Sequence, residues 1–144
     1  MSVDAFFENL SLAQAGAKFT PDVQAAAANI NVDVLKAAVQ TVLAGGDDAK
    51  VDGELAAALK AGFEFATKLV KMLGKEPGQT ELLAFYKYFK RARNETPAEP
   101  SFYQIESKYK YNAWKEISHI SDQKAQALYI QEVNKAIETY GTRD

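Results

Sequence analysis

The chain is predicted to be all-α. Apolar residues recur at helical spacing in four long segments after residue 50, and the gaps between those segments hold the Gly, Pro and Asn residues that stop helices. No stretch alternates with the period of two that a half-buried strand requires. These observations predict a four-helix bundle over residues 51–144, preceded by a helical extension over residues 1–50.

The extension opens with Asp4-Ala-Phe-Phe-Glu8, read as a single helical turn. Thr20-Pro21-Asp22 is a helix start, because proline at the first helical position loses no hydrogen bond. An alanine-rich run reaches Ile30, where Asn29 and Asn31 interrupt it. Asp33 is the expected cap of a second piece that carries Val34, Leu35, Ala38, Val39, Val42 and Leu43 and stops at Gly45-Gly46. These short helices need a surface to pack on. Against the plain reading, that the extension packs on the bundle and adds core, stands a sharper one in which it lies over a ligand groove as a lid.

Gly46-Asp47-Asp48-Ala49-Lys50 reads as a linker. Beyond it, Leu55, Leu59, Phe63, Ala66, Leu69, Val70 and Leu73 form a stripe closed by Gly74, and Lys75-Glu76-Pro77-Gly78 is a turn. A second helix is expected from Gln79 with no breaker before residue 96, then a loop with Asn94, Pro97 and Pro100. A third is expected over Ser107–Ile117, with Trp114 and Ile117 inward. Ser121-Asp122 caps the last, whose stripe of Ala125, Leu128, Tyr129, Val133, Ala136, Ile137 and Tyr140 ends at Gly141. Trp114 and Tyr140 each close a stripe and are expected in the core.

Composition sets the function classes. At 144 residues, 47% hydrophobic and 25% charged, the chain has the size and make-up of one soluble domain. The absence of cysteine excludes disulfides, thiolate catalysis and cysteine zinc sites, and the lone His119 leaves no histidine cluster for a metal. No apolar run approaches the ~20 residues of a membrane span. The Met-Ser-Val-Asp opening lacks the basic and apolar blocks of a signal peptide, which makes the cytoplasm the expected compartment. Residues 1–58 carry eight acidic residues against three lysines, a balance of −5, and the remainder carries +3 within a net charge of −2. That asymmetry fits a small anionic ligand on the second part better than a nucleic acid. No carboxylate pair sits inside an apolar run and no nucleophile has a base at a telling spacing, so no catalytic set is expected.

The most unusual segment is Leu82-Leu-Ala-Phe-Tyr-Lys-Tyr-Phe-Lys-Arg91, apolar nearly all round before it ends in positive charge. An ordinary surface helix has one apolar stripe. This one must cover two surfaces, the core and something else. Tyr86 and Lys90, four residues apart, share a face, and an aromatic ring beside an ammonium suits a flat base and phosphates. From spacing alone Tyr86 and Tyr129 serve equally as core residues, and Lys90 and Lys110 as solvated lysines.

With these residues in view, positions 54–141 resemble the acyl-CoA-binding protein family. The matching elements occur in order: Lys71 and Pro77; Leu83, Tyr86, Phe89 and Lys90; Lys110 followed by Asn-Ala-Trp114; Ala-Gln-Ala-Leu-Tyr129-Ile-Gln-Glu-Val133; and Tyr140-Gly141. The resemblance implies an up-down-down-up four-helix bundle holding one acyl-CoA ester in a surface groove. It places Tyr86, Phe89, Lys90, Lys110 and Tyr129 at the adenine and 3′-phosphate, Lys71 also at the head group, and Ala66, Leu82 and Leu83 along the acyl chain. Phe89 stands where the family commonly has tyrosine, Tyr111 where tryptophan is common, and Glu106 where a further lysine is often found. The loop at Ala98-Glu99-Pro100-Ser101 lacks the usual Arg-Pro-Gly signature.

The function so implied is non-enzymatic: binding, transport and pool formation of medium- to long-chain acyl-CoA esters by a monomer, with no cofactor, stable membrane insertion or nucleic acid, and with delivery to enzymes that use such esters. Burying twelve to sixteen methylenes would contribute on the order of 10 kcal/mol before ordering costs. The competing reading is a helical protein-interaction module, in which the doubly apolar helix meets another helix and the basic residues are incidental.

Overall fold

The computed structural model describes residues 3–143, so the Met-Ser start on which the signal-peptide expectation partly rests lies outside them. Among the described residues there are seven α-helices, and the only strand-like pairing is an isolated bridge between Leu73 and Thr142. The helices are α1 (Asp4–Gln14), α2 (Pro21–Ala27), α3 (Val32–Ala44), α4 (Gly53–Leu69), α5 (Gln79–Ala92), α6 (Ile105–Glu116) and α7 (Asp122–Tyr140), with a 3₁₀ turn at Val70–Met72 after α4. The all-α expectation holds. None of these helices is long and apolar enough to cross a membrane.

α7 is the central element. It packs on α5, α4, α1 and α3, while α6 packs on α5. The 3.6-residue period puts Ile130, Val133, Ala136 and Ile137 inward, all buried, and Ser121 starts the helix by accepting a hydrogen bond from Lys124 N at 3.0 Å.

The extension belongs to the same core. Phe6 on α1 meets Phe65 on α4 edge-to-face at 5.8 Å, and Leu35 of α3 packs so tightly on Gly62 that a Cβ there would come within 2.6 Å of the leucine methyls. Two buried polar side chains of α7 fasten it further. The fully buried Asn134 accepts from Phe6 N at 2.8 Å, which satisfies an amide at the start of α1, a helix with no side-chain cap of its own. Lys124 extends its ammonium to the carbonyls of Val42, Leu43 and Gly45 at 3.1, 3.2 and 2.9 Å, a cation at the negative end of α3. The expected linker is stitched down as well, Ser121 donating to Asp47 O and Ala49 O and Gln123 bridging Val51. The charge balance changes near residue 50, but the core runs across it.

Several local expectations are corrected. α1 has eleven residues rather than one turn, because Phe6, Phe7, Leu10 and Ala13 lie on one buried face. α3 is capped by Asn31, whose side chain accepts from Val34 N at 3.2 Å, and Asp33 lies within its first turn. α5 stops at Ala92, before residue 96, since Asn94 turns left-handed at φ 56°. α6 begins two residues before Ser107 and has no fully buried residue. Trp114 is therefore only partly buried, and its indole Nε1 makes no hydrogen bond. Tyr140 is also partly buried and donates its hydroxyl to Glu81. Gly74 does not cap a helix. It lies against the backbone of Tyr140, where a Cβ would approach the carbonyl oxygen to 2.5 Å, and its N–H donates to Gly141 O.

Candidate functional site

The groove that the doubly apolar helix lacked a partner for lies between α5 and α6, over α7. The cavity has a volume of about 810 Å³ and is lined by Gln79, Leu82, Leu83, Phe85, Tyr86 and Phe89 from α5, Ile105, Glu106, Tyr109 and Lys110 from α6, and Tyr129 from α7. The α5 contribution follows from helix geometry. Residues 79, 82, 83 and 86 form one i, i+3, i+4, i+7 stripe, and Phe85 and Phe89 form the neighbouring stripe that turns down toward α7.

Aromatic rings make the floor. Tyr129 is buried and meets Phe63 edge-to-face at 5.1 Å, Phe85 at 5.7 Å and Phe89 at 6.4 Å. Burial pushes the Tyr129 phenol well above its ordinary 10.0, so it is a neutral O–H donor across the physiological range. The rim is apolar yet open, with Ile105 64% and Tyr109 57% exposed and Leu82 exposed across from them. An exposed apolar lip around an apolar cavity is what a ligand of matching character would cover.

One end of the groove is cationic. The Tyr86 ring carries Lys90 Nζ at 5.8 Å and Lys110 Nζ at 5.6 Å, so two ammonium groups from two helices converge on one ring. Arg93 lies 5.2 Å from the Phe89 ring but lines a neighbouring depression with Lys60 and Asn94. Each lysine also has a carboxylate neighbour: Lys90 donates to Glu95 at 3.0 Å, and Lys110 stands 3.7 Å from Glu106. The set offers an apolar channel, a neutral phenol, stacking faces and two cations. It lacks a nucleophile–base pair, and no group of three or more metal-ligating side chains gathers among the described residues.

Of the residues singled out in sequence, the structure brings Leu82, Leu83, Tyr86, Phe89, Lys110 and Tyr129 into this one cavity, with Lys90 at its cationic end. Two lie elsewhere. Ala66 is fully buried inside the bundle and does not reach the groove. Lys71 is exposed on the 3₁₀ turn, beside a separate depression with Lys75 and Arg143, and its carbonyl accepts from Arg143 Nη2 at 3.0 Å. Phe85, Ile105 and Tyr109 were not anticipated. Ile105 and Tyr109 stand at i and i+4, a pairing visible in sequence once the helix start is moved to Ile105. Among the described residues none from 3–50 lines the cavity.

Comparison with known proteins gives a consistent result. Residues 60–133 match the family model described as Acyl CoA binding protein. The chain is similar to an acyl-CoA-binding protein of Dictyostelium discoideum, 37% identical over 70 residues that cover 47% of this chain and 83% of that one. It is 32% identical over 81 residues to acyl-CoA-binding protein homolog 1 of Caenorhabditis elegans, covering 55% of this chain and 94% of the relative. Acyl-CoA-binding domain-containing protein 5 of Rattus norvegicus is 32% identical over 84 residues, 54% of this chain, and the match spans only 16% of that longer protein.

Proposed function

The chain belongs to the Acyl CoA binding protein family, and on that premise we propose that it binds one fatty acyl-CoA ester in the groove between α5 and α6. The observation that carries this reading is the convergence of Lys90 and Lys110 on Tyr86 beside a mostly apolar cavity of about 810 Å³. An acyl-CoA has that same division, a polyanionic nucleotide at one end and a hydrocarbon chain at the other. The two ammonium groups supply charge-assisted contacts to the 3′-phosphate, and Tyr86 a face for the adenine. Leu82, Leu83, Ile105 and Tyr109 then take the hydrocarbon, and Tyr129 offers its neutral hydroxyl from the floor.

Binding without chemistry is the proposed activity: sequestration of medium- to long-chain acyl-CoA as a cytoplasmic pool, and its transport by a monomer to enzymes that consume it. Lys71 is proposed to have no direct part, given its separate location. Calorimetric titration of the chain with palmitoyl-CoA tests the reading. Saturation at one ligand per chain is expected, and no saturable binding would remove it.

A further inference from the structure

Both cations at the head-group end are already engaged by carboxylates of the chain itself, and the two engagements differ in strength. The Glu106–Lys110 contact is 3.7 Å, with Glu106 80% exposed, a loose surface pair. Glu95 is held at three points. Its Oε1 accepts from Lys90 Nζ at 3.0 Å, its Oε2 accepts from Arg93 Nε at 3.2 Å, and its backbone N–H donates to Lys90 O at 2.9 Å. The left-handed turn at Asn94 directs it there, reversing the chain at the end of α5 so that residue 95 folds back onto residue 90. Asn94 is itself tied by Arg91 Nη1 at 2.7 Å and to Asp122 at 3.1 Å, so the turn is fixed from two directions. The hydrogen bond from Lys90, with Arg93 beside it, holds the Glu95 carboxyl below the usual carboxylate range.

We infer that Glu95 is an internal stand-in for the ligand's phosphate, occupying Lys90 in the free protein while Arg93 holds its second oxygen, and lowering affinity for acyl-CoA because the incoming phosphate must displace it. The inference rests on the proposed acyl-CoA site and adds a regulator to it. A carboxylate oxygen on the Lys90 ammonium takes the contact that a phosphate oxygen would make there. Displacement costs the ligand those contacts and leaves a negative charge beside it. A surface pair of this kind corresponds to about two- to fivefold in affinity. Glu95→Gln keeps the shape and one acceptor oxygen but removes the charge, which weakens its hold on Lys90.

The test is calorimetric titration of the wild-type chain and Glu95→Gln with palmitoyl-CoA and with its 3′-dephospho analogue, folding being checked by circular dichroism. The expected result is a two- to fivefold tighter palmitoyl-CoA complex for Glu95→Gln and a clearly smaller gain with the dephospho ester. A smaller effect is expected for Glu106→Gln, whose pair is longer and more exposed. Wild-type binding with Glu95→Gln unchanged or weaker would overturn this inference and leave the acyl-CoA site standing. Equal gains on both ligands would overturn the phosphate assignment of Glu95. A wild-type chain that binds neither ester would overturn the site and the inference together.

Discussion

Tyr129→Ala is expected to lower stability by about 3–5 kcal/mol, the range for removing a large buried ring, whereas Tyr129→Phe leaves the fold intact and weakens ligand binding by a few-fold. The contrast follows from where the residue sits. Its ring fills the space between Phe63 and Phe85, at 5.1 and 5.7 Å, so truncation opens a cavity at the junction of α4, α5 and α7. For a domain of this size such a loss moves the thermal midpoint by roughly 10–15 °C. Phenylalanine restores the ring contacts and lacks only the hydroxyl, whose net worth is about 1 kcal/mol. Thermal unfolding followed by circular dichroism separates the two variants, and titration with palmitoyl-CoA then reads the hydroxyl alone.

The same residue predicts an alkaline limit. Burial raises its native pKa above the 10.0 of an unfolded tyrosine, so the native state holds its proton where the unfolded state has lost it. The associated stability is fully present below about pH 10 and is lost as the pH climbs beyond it toward the native pKa. Tyr129→Phe should therefore lose less stability than the wild type between pH 10 and 11.

The second large effect is expected at the cationic end. Replacing Lys90 and Lys110 together by Gln should weaken palmitoyl-CoA binding by about 30- to 100-fold. A hydrogen bond to a charged partner contributes about 1.5–3 kcal/mol, reduced here because each lysine gives up a carboxylate of up to about 1 kcal/mol on binding. Glutamine retains much of the stem that lies over Tyr86, so the loss reports charge rather than packing. The double variant should also show a flatter dependence on salt concentration, since fewer exposed charges attract the ligand. Unchanged affinity in the double variant would mean that the head group lies elsewhere.

Much of this arrangement is legible in the chain because helices α4, α5 and α7 bury strong stripes. The stripe of α7 runs from Ala125 to Tyr140 without interruption, and the apolar excess of α5 announces a second face before any partner is known. What escaped has physical reasons. Lys71 is placed at the head group by the resemblance alone, and the 3₁₀ turn that begins at Val70 sets its side chain beside a separate depression. Ala66 shares the stripe of Leu59, Phe63 and Leu69, and α7 covers that stripe, so it closes the core instead of opening on the groove. Ile105 and Tyr109 escape because α6 has no buried residue, so its apolar positions do not fix where the helix starts. The length of α1 was missed for a related reason: beyond Leu10 its buried side is carried by small residues such as Ala13, which leave a weak imprint.

Glu95 illustrates a different limit. Its place beside Lys90 depends on the left-handed turn at Asn94, which the sequence suggests only as a loop, and its meaning depends on Arg93 and Lys90 being on the same side of that turn. Neither is a matter of period. Both become readable only when the end of α5 is fixed.

One groove is proposed to serve two chemistries, an apolar length joined to a cationic end. Titration with octanoyl-, dodecanoyl- and palmitoyl-CoA holds the head group constant and varies only the hydrocarbon. A methylene that leaves water contributes about 0.8 kcal/mol, and with half of that realised against the open rim each added pair should tighten binding about fourfold. A steady gain from eight to sixteen carbons, with free CoA the weakest ligand, is the result the groove predicts. Equal affinity for all three esters, or for palmitoyl-CoA and free CoA, would contradict it.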